Sequence, residues 1–163
     1  VRELLARKKM RLQDYDYSSA GYYFITICVK DKYELLGKVV VGATVPGRPQ
    51  TFPYVELSEI GQVVDIAINH NNRNHVSVPK YVIMPNHIHM ILILGQEAGN
   101  RGRSPLQGIV RSMKAYITKQ IGYSIWQKSF HDHIIRNEEE YRRIWRYIDE
   151  NPVKWEEDCY FVG

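Results

Sequence analysis

The chain has 163 residues, 44% of them hydrophobic and 25% charged, a size and balance that bury a core and exclude bulk disorder or a disulfide-stapled miniature scaffold. Its longest apolar runs, 22–29 and 88–94, fall far short of the ~20 residues of a membrane-spanning helix, so no membrane partner is expected. A formal charge of +4 and a pI near 9.0 favour an anionic partner, nucleic acid first.

In chain order, the opening carries Arg7, Lys8, Lys9 and Arg11, a basic arm rather than the apolar run of a secretory leader. Residues 22–29 (YYFITICV) are aromatic and β-branched and predict a buried strand. Cys28 inside that run reads as a reduced, buried thiol and makes no CxxC pair with Cys159, which suits a cytoplasmic protein. A short strand over 34–41 is expected to pair with the first across the polar link 30–33. Residues 42–53, with three prolines and two glycines, predict a loop. Ser58 offers an N-cap to a helix over 59–72 whose apolar face is Ile60, Val63, Val64, Ala67 and Ile68.

Two strands, 81–84 and 87–94, join at Pro85-Asn86, and apolar residues on both faces of the second mark it as central. Residues 95–104 form a Gly/Arg loop with Arg101 and Arg103. Pro105 opens a helix to about Ile121, striped by Leu106, Val110, Met113 and Ile117. Residues 129–135 predict a strand. Asn137 with Glu140 makes a capping-box pattern for a last helix, which Pro152 stops. The order β-α-β-β-α-β predicts a ferredoxin-like α+β fold with an antiparallel sheet and an extra C-terminal helix.

His87 and His89 are two apart on a strand, so both imidazoles project from one face into one space. Such a pair is a half-site for a divalent metal, or simply two hydrogen-bonded side chains at a sheet end. His131 and His133 repeat the spacing around an acid and read as half-buried polar residues. A metal site that does chemistry needs a third ligand and a nucleophile or activated water. Two tyrosines have a carboxamide four residues on, one helical turn away: Tyr116 with Gln120, and Tyr147 with Asn151. Tyr147 falls ~100° from the centre of the stripe Tyr141, Ile144, Trp145, Ile148, at the core's edge. Spacing alone does not choose between the two pairs.

The run YVIMPNHIHMILIL (81–94) with IWQKSFHDHIIRNEEEYRRIWRYIDENPVKW (125–155), and RLQDYDYSSAGYYFITICVKDK (11–32) before them, resembles the REP-associated tyrosine transposases. These belong to the single-tyrosine HUH endonucleases (His, hydrophobic, His). The resemblance implies one catalytic domain over 1–163 with a basic arm at about 1–14, and a last helix that carries the nucleophile. It makes Tyr147 that nucleophile, and His87, His89 and Asn151 the ligands of Mg²⁺ or Mn²⁺; Tyr116 and Gln120 fall outside the pattern. The activity implied is single-strand DNA cutting and strand transfer near hairpins through a 5′-phosphotyrosine, by a monomer. Arg7, Lys8, Lys9, Arg11, Arg101, Arg103, Arg136, Arg142, Arg143 and Arg146 are candidate phosphate contacts, and Tyr15, Tyr17 and Tyr22 candidate base-stacking rings. Two other readings stand beside it: a ferredoxin-like module that grips structured DNA or RNA without cutting, and a metallo-phosphoesterase that uses activated water.

Overall fold

A computed structural model describes residues 21–41, 52–72, 75–95 and 105–163; the basic arm, Tyr15, Tyr17, Arg101 and Arg103 lie outside them. The first strand, β1 (Gly21–Cys28), is followed by β2 (Gly37–Val40), β3 (Tyr54–Leu57), α1 (Glu59–His70), β4 (Val76–Met84), β5 (His87–Leu94), α2 (Pro105–Ile121), β6 (His131–Ile135) and α3 (Glu138–Glu150). Four strands form one sheet in the order β4-β5-β1-β6, every neighbouring pair antiparallel. This is the ferredoxin-like arrangement, with β5 central as its two apolar faces require.

One expectation fails. The strand after the first turn does not join β1; β2 pairs with β3 in a separate two-stranded sheet. The reason is that both edges of β1 are already taken, one by β5 and the other by β6. The chain leaves β1 through a turn in which Asp31 and Lys32 take left-handed backbone angles. A second difference is length: β4 starts at Val76 rather than Tyr81, running past Pro79. Pro79 is tolerated because β4 is an edge strand and its register breaks between Ser77 and Lys80.

The caps form as the side chains dictate. Ser58 Oγ accepts from Gly61 N at 3.0 Å and Asn137 Oδ1 accepts from Glu140 N at 2.8 Å. Glu140 reaches back one residue further than a capping box requires, accepting from Arg136 N at 2.9 Å. Gly61 is needed for close approach: a Cβ there would stand 1.9 Å from Leu36 O.

The sheet's two faces are covered unequally. On one, Tyr23, Ile25, Ile27, Ile88, Met90 and Leu92 meet α1 (Val64, Ala67, Ile68) and α2 (Leu106, Val110, Met113, Ile117) in the main core. On the other lies α3, whose Ile144 and Ile148 pack on Ile91 and Ile135. Burial of each isoleucine stabilises by ~1.5–3 kcal/mol, enough to hold the helix on the sheet. Cys28 is buried, its thiol pushed up to about 11 by that burial, while Cys159 is exposed. No helix of the described residues is long and apolar enough to cross a membrane.

Candidate active site

The thinly covered face is the one that carries His87 and His89. Both are fully buried where β5 begins, at 0% and 2% exposure, and their Nε2 atoms stand 3.0 Å apart. Each ring is oriented from behind. His87 Nδ1 lies 2.8 Å from Asn86 Oδ1, while Asn86 Nδ2 donates to Tyr160 O at 2.8 Å and towards Lys32 O at 3.3 Å. Because the Asn86 amide nitrogen is engaged as donor, its oxygen must accept, which places the His87 proton on Nδ1 and leaves Nε2 with a lone pair. His89 Nδ1 lies 2.8 Å from Thr26 Oγ1, a hydroxyl able to accept or donate.

Burial holds both imidazoles neutral. It pushes His87 down to about 4 against the opposing pull of Asp158 and Asn151, and keeps His89 well below the usual range, with His87 adding to the effect. Neutral imidazoles with lone pairs directed into one space are metal-ligating groups, and oriented partners behind them favour that role.

The end of α3 closes the site. Ile144 and Ile148 anchor the helix and Tyr147 falls beside them at the edge, 42% exposed, its Oη 3.4 Å from His89 Nε2 and its ring edge-on to Phe24. Burial, then the charge of Asp158, raises the Tyr147 pKa, and the Asn151 amide works against them. Asn151 is 3% exposed, near enough to His87 and Tyr147 for its dipole to act on both, yet its Oδ1 is buried without a hydrogen-bond partner. A buried carbonyl oxygen left unpaired is costly, and here it belongs to an amide beside the histidine pair, a donor set that fits a divalent cation. Among the described residues, one group of three His, Cys, Asp or Glu side chains can share an ion: His87, His89 and Asp158.

The other sequence candidates lie elsewhere. Tyr116 is on α2, across the sheet, its ring stacked on His70. His131 and His133 are exposed rather than half-buried, because β6 is an edge strand; His133 Nε2 pairs with Glu140 at 2.5 Å. Arg142 is paired with Glu138 at 2.6 Å, and Arg143 lies 3.6 Å from Glu140. Arg142, Arg143 and Arg146 line one shallow hollow along α3 and Arg136 an adjoining one. Tyr22 packs edge-on against Tyr141. Asn86, Thr26 and Asp158 escaped the sequence reading. Asn86 was signalled only by its place before His87, and Asp158 sits in a segment with no helical or strand period.

A fold of this topology, with a histidine pair facing a tyrosine at a helix end, defines a class that comparison makes specific. No protein-family model matches the chain. It is 31% identical over 179 aligned residues to an uncharacterized protein of Haemophilus influenzae, covering 96% of this chain and 93% of that one. It is 36% identical over 75 residues to the REP-associated tyrosine transposase of Escherichia coli, covering 45% of this chain and 42% of that protein. A solved structure of a REP-associated tyrosine transposase bound to a REP hairpin superposes with a TM-score of 0.62 at 25% identity, covering 89% of this chain and 74% of that one. In part of its sequence and in its fold, the chain is similar to the REP-associated tyrosine transposases.

Proposed function

We propose that the protein is a metal-dependent single-strand DNA endonuclease and strand transferase that cuts beside DNA hairpins as a monomer. Tyr147 is the nucleophile, and His87, His89 and Asn151 hold Mg²⁺ or Mn²⁺. One observation carries the reading: Asn151, whose buried Oδ1 has no hydrogen-bond partner, lies near enough to His87 and Tyr147 to act on both, beside two imidazole nitrogens 3.0 Å apart and a tyrosine hydroxyl 3.4 Å from one of them. Imidazole nitrogen with amide oxygen suits Mg²⁺ or Mn²⁺ when phosphate completes the shell, whereas zinc more often recruits Cys or a third His. Such an ion supplies Lewis-acid charge at the non-bridging oxygens of the scissile phosphate.

The chain's own residues do the rest. Tyr147 is held by α3 with its hydroxyl at the site and the side chain 42% exposed, within reach of a phosphodiester. Its Oη forms a bond to phosphorus as the P–O3′ bond breaks; the 3′-oxygen leaves and takes up a proton, and the phenol proton passes to solvent water. The product is a 5′-phosphotyrosine and a free 3′-OH. Attack by another 3′-OH reverses the step, so cutting and joining need no external energy source. The arginines of α3 and Arg136, with Arg101, Arg103 and the arm residues Arg7, Lys8, Lys9 and Arg11, position phosphates. The hairpin is suggested by the solved relative, which is bound to one.

A labelled single strand carrying a hairpin, incubated with the protein and Mn²⁺, tests the reading. A covalent adduct is expected with wild type and Tyr116→Phe and not with Tyr147→Phe. Adduct persisting in Tyr147→Phe would move the nucleophile elsewhere. Absence of adduct with wild type on hairpin substrates would favour a non-cleaving binding module.

A further inference from the structure

Past α3 the chain doubles back. It makes one turn of 3-10 helix at Trp155–Glu157, and the strap that follows returns to the histidine pair. Asn86 Nδ2 donates to Tyr160 O at 2.8 Å and Lys32 Nζ to Cys159 O at 3.2 Å, so the strap is tied to the turn before β5 and to the turn after β1. The rings of Trp155 and Tyr160 lie against His87, with centroids 6.0 and 4.4 Å away. Between them the side chain of Asp158 is only 4% exposed, with Oδ2 4.0 Å from His87 Nε2. Its Oδ1 accepts from Tyr160 N at 2.8 Å, which fixes the direction of the carboxylate.

We infer that Asp158 is a further protein ligand of the cation held by the histidine pair, so that the strap supplies the site's negative charge. The inference rests on the metal-site reading above and extends it to a residue on a different segment. Three facts support it. First, the ligand atoms of His87, His89 and Asp158 all lie within 4.8 Å of one another, and ligands bound at ~2.0–2.2 Å on one ion stand between ~3 Å apart as neighbours and ~4.3 Å apart as opposites. Second, the imidazoles and the Asn151 amide are all neutral donors, while Mg²⁺ and Mn²⁺ favour carboxylate oxygen. Third, no Lys or Arg among the described residues forms an ion pair with Asp158, leaving a carboxylate nearly shut off from water without a counter-charge, a costly arrangement unless a cation joins it. Asn86 couples the two halves, since one amide both orients His87 and anchors the strap.

Mn²⁺ binding to the full chain, followed by electron paramagnetic resonance of the free ion and by calorimetry, tests this without recourse to activity. Asp158→Asn keeps the side-chain size and the bond from Tyr160 N; it is expected to lose more than about tenfold in Mn²⁺ affinity while melting no lower than wild type in the absence of metal. Asp158→Cys is expected to exchange Mn²⁺ preference for Cd²⁺, with a thiolate-to-cadmium absorption band that wild type, despite Cys28 and Cys159, does not show. The assignment of Asp158 is overturned if Asp158→Asn binds Mn²⁺ as wild type does while His87→Ala has lost it, or if folded Asp158→Cys takes up Cd²⁺ with no such band. Wild type that binds no Mn²⁺ would overturn the metal-site reading itself, and this inference with it.

Discussion

Two His-x-His pairs sit in this sheet, and only one of them is built into a site. The antiparallel register places Thr26 opposite both His89 and His131, and Phe24 opposite His133. Opposed residues share a face, so all four histidines lie on the side that α3 covers. Yet His87 and His89 are on an inner strand, buried, aimed by Asn86 and Thr26, and met by Asn151, Tyr147 and Asp158. His131 and His133 are on an edge strand, exposed, and His133 is held by Glu140 at the start of α3. Identical spacing therefore yields a candidate metal centre where the helix end and strap close over it, and a helix-start tether where the sheet runs out. What separates the pairs is their surroundings.

The sharpest way to break this comparison is to exchange the pairs as targets. His87→Ala or His89→Ala should lower Mn²⁺ affinity by more than ~100-fold, beyond the range seen when only an orienting partner is removed. His131→Ala and His133→Ala should stay within about twofold, as exposed substitutions do. Loss of metal in the second set, read by calorimetry, would overturn the distinction.

Next in size are the orienting groups. Asn86→Ala and Thr26→Val leave all the proposed ligands in place and should each weaken Mn²⁺ binding by ~10–100-fold. By contrast, Asn137→Ala at the start of α3, where Glu140 holds His133, should leave metal affinity alone and cost ~1 kcal/mol of stability through the lost cap, read from the urea midpoint.

The smallest effect concerns Glu140. The Arg136 N–H, and after it the bond to His133, hold this carboxyl below its ordinary value of 4.5. A depressed carboxyl contributes stability that is fully present above that ordinary value and is lost as pH falls through the lowered one. The stability difference between wild type and Glu140→Gln should therefore be constant near neutrality and shrink towards acid. A difference that grows on acidification would contradict the pairing.

Much of the scaffold was legible from residues alone, because its signals are local. The stripe Val64, Ala67, Ile68 and the caps Ser58 and Asn137 lie within one or two turns of what they determine, and the two-faced apolar run 88–94 announces a central strand wherever its neighbours come from. The same locality put His87 and His89 on one face and Tyr147 one turn from Asn151 at the margin of its helix. Non-local facts were not legible. The partner of β2 depended on which edges of β1 were free, a matter of strand order rather than of any residue in 34–41. Which histidine pair is buried, and that both share a face, followed from the crossovers that put β5 inside and β6 outside. Asp158 belongs to a strap without periodicity, tied beside His87 by Asn86 and Lys32, residues more than 70 positions away in sequence. Spacing along a strand or helix constrains direction over a few ångströms, whereas burial and charge at a site are set by what the rest of the chain lays on top of it.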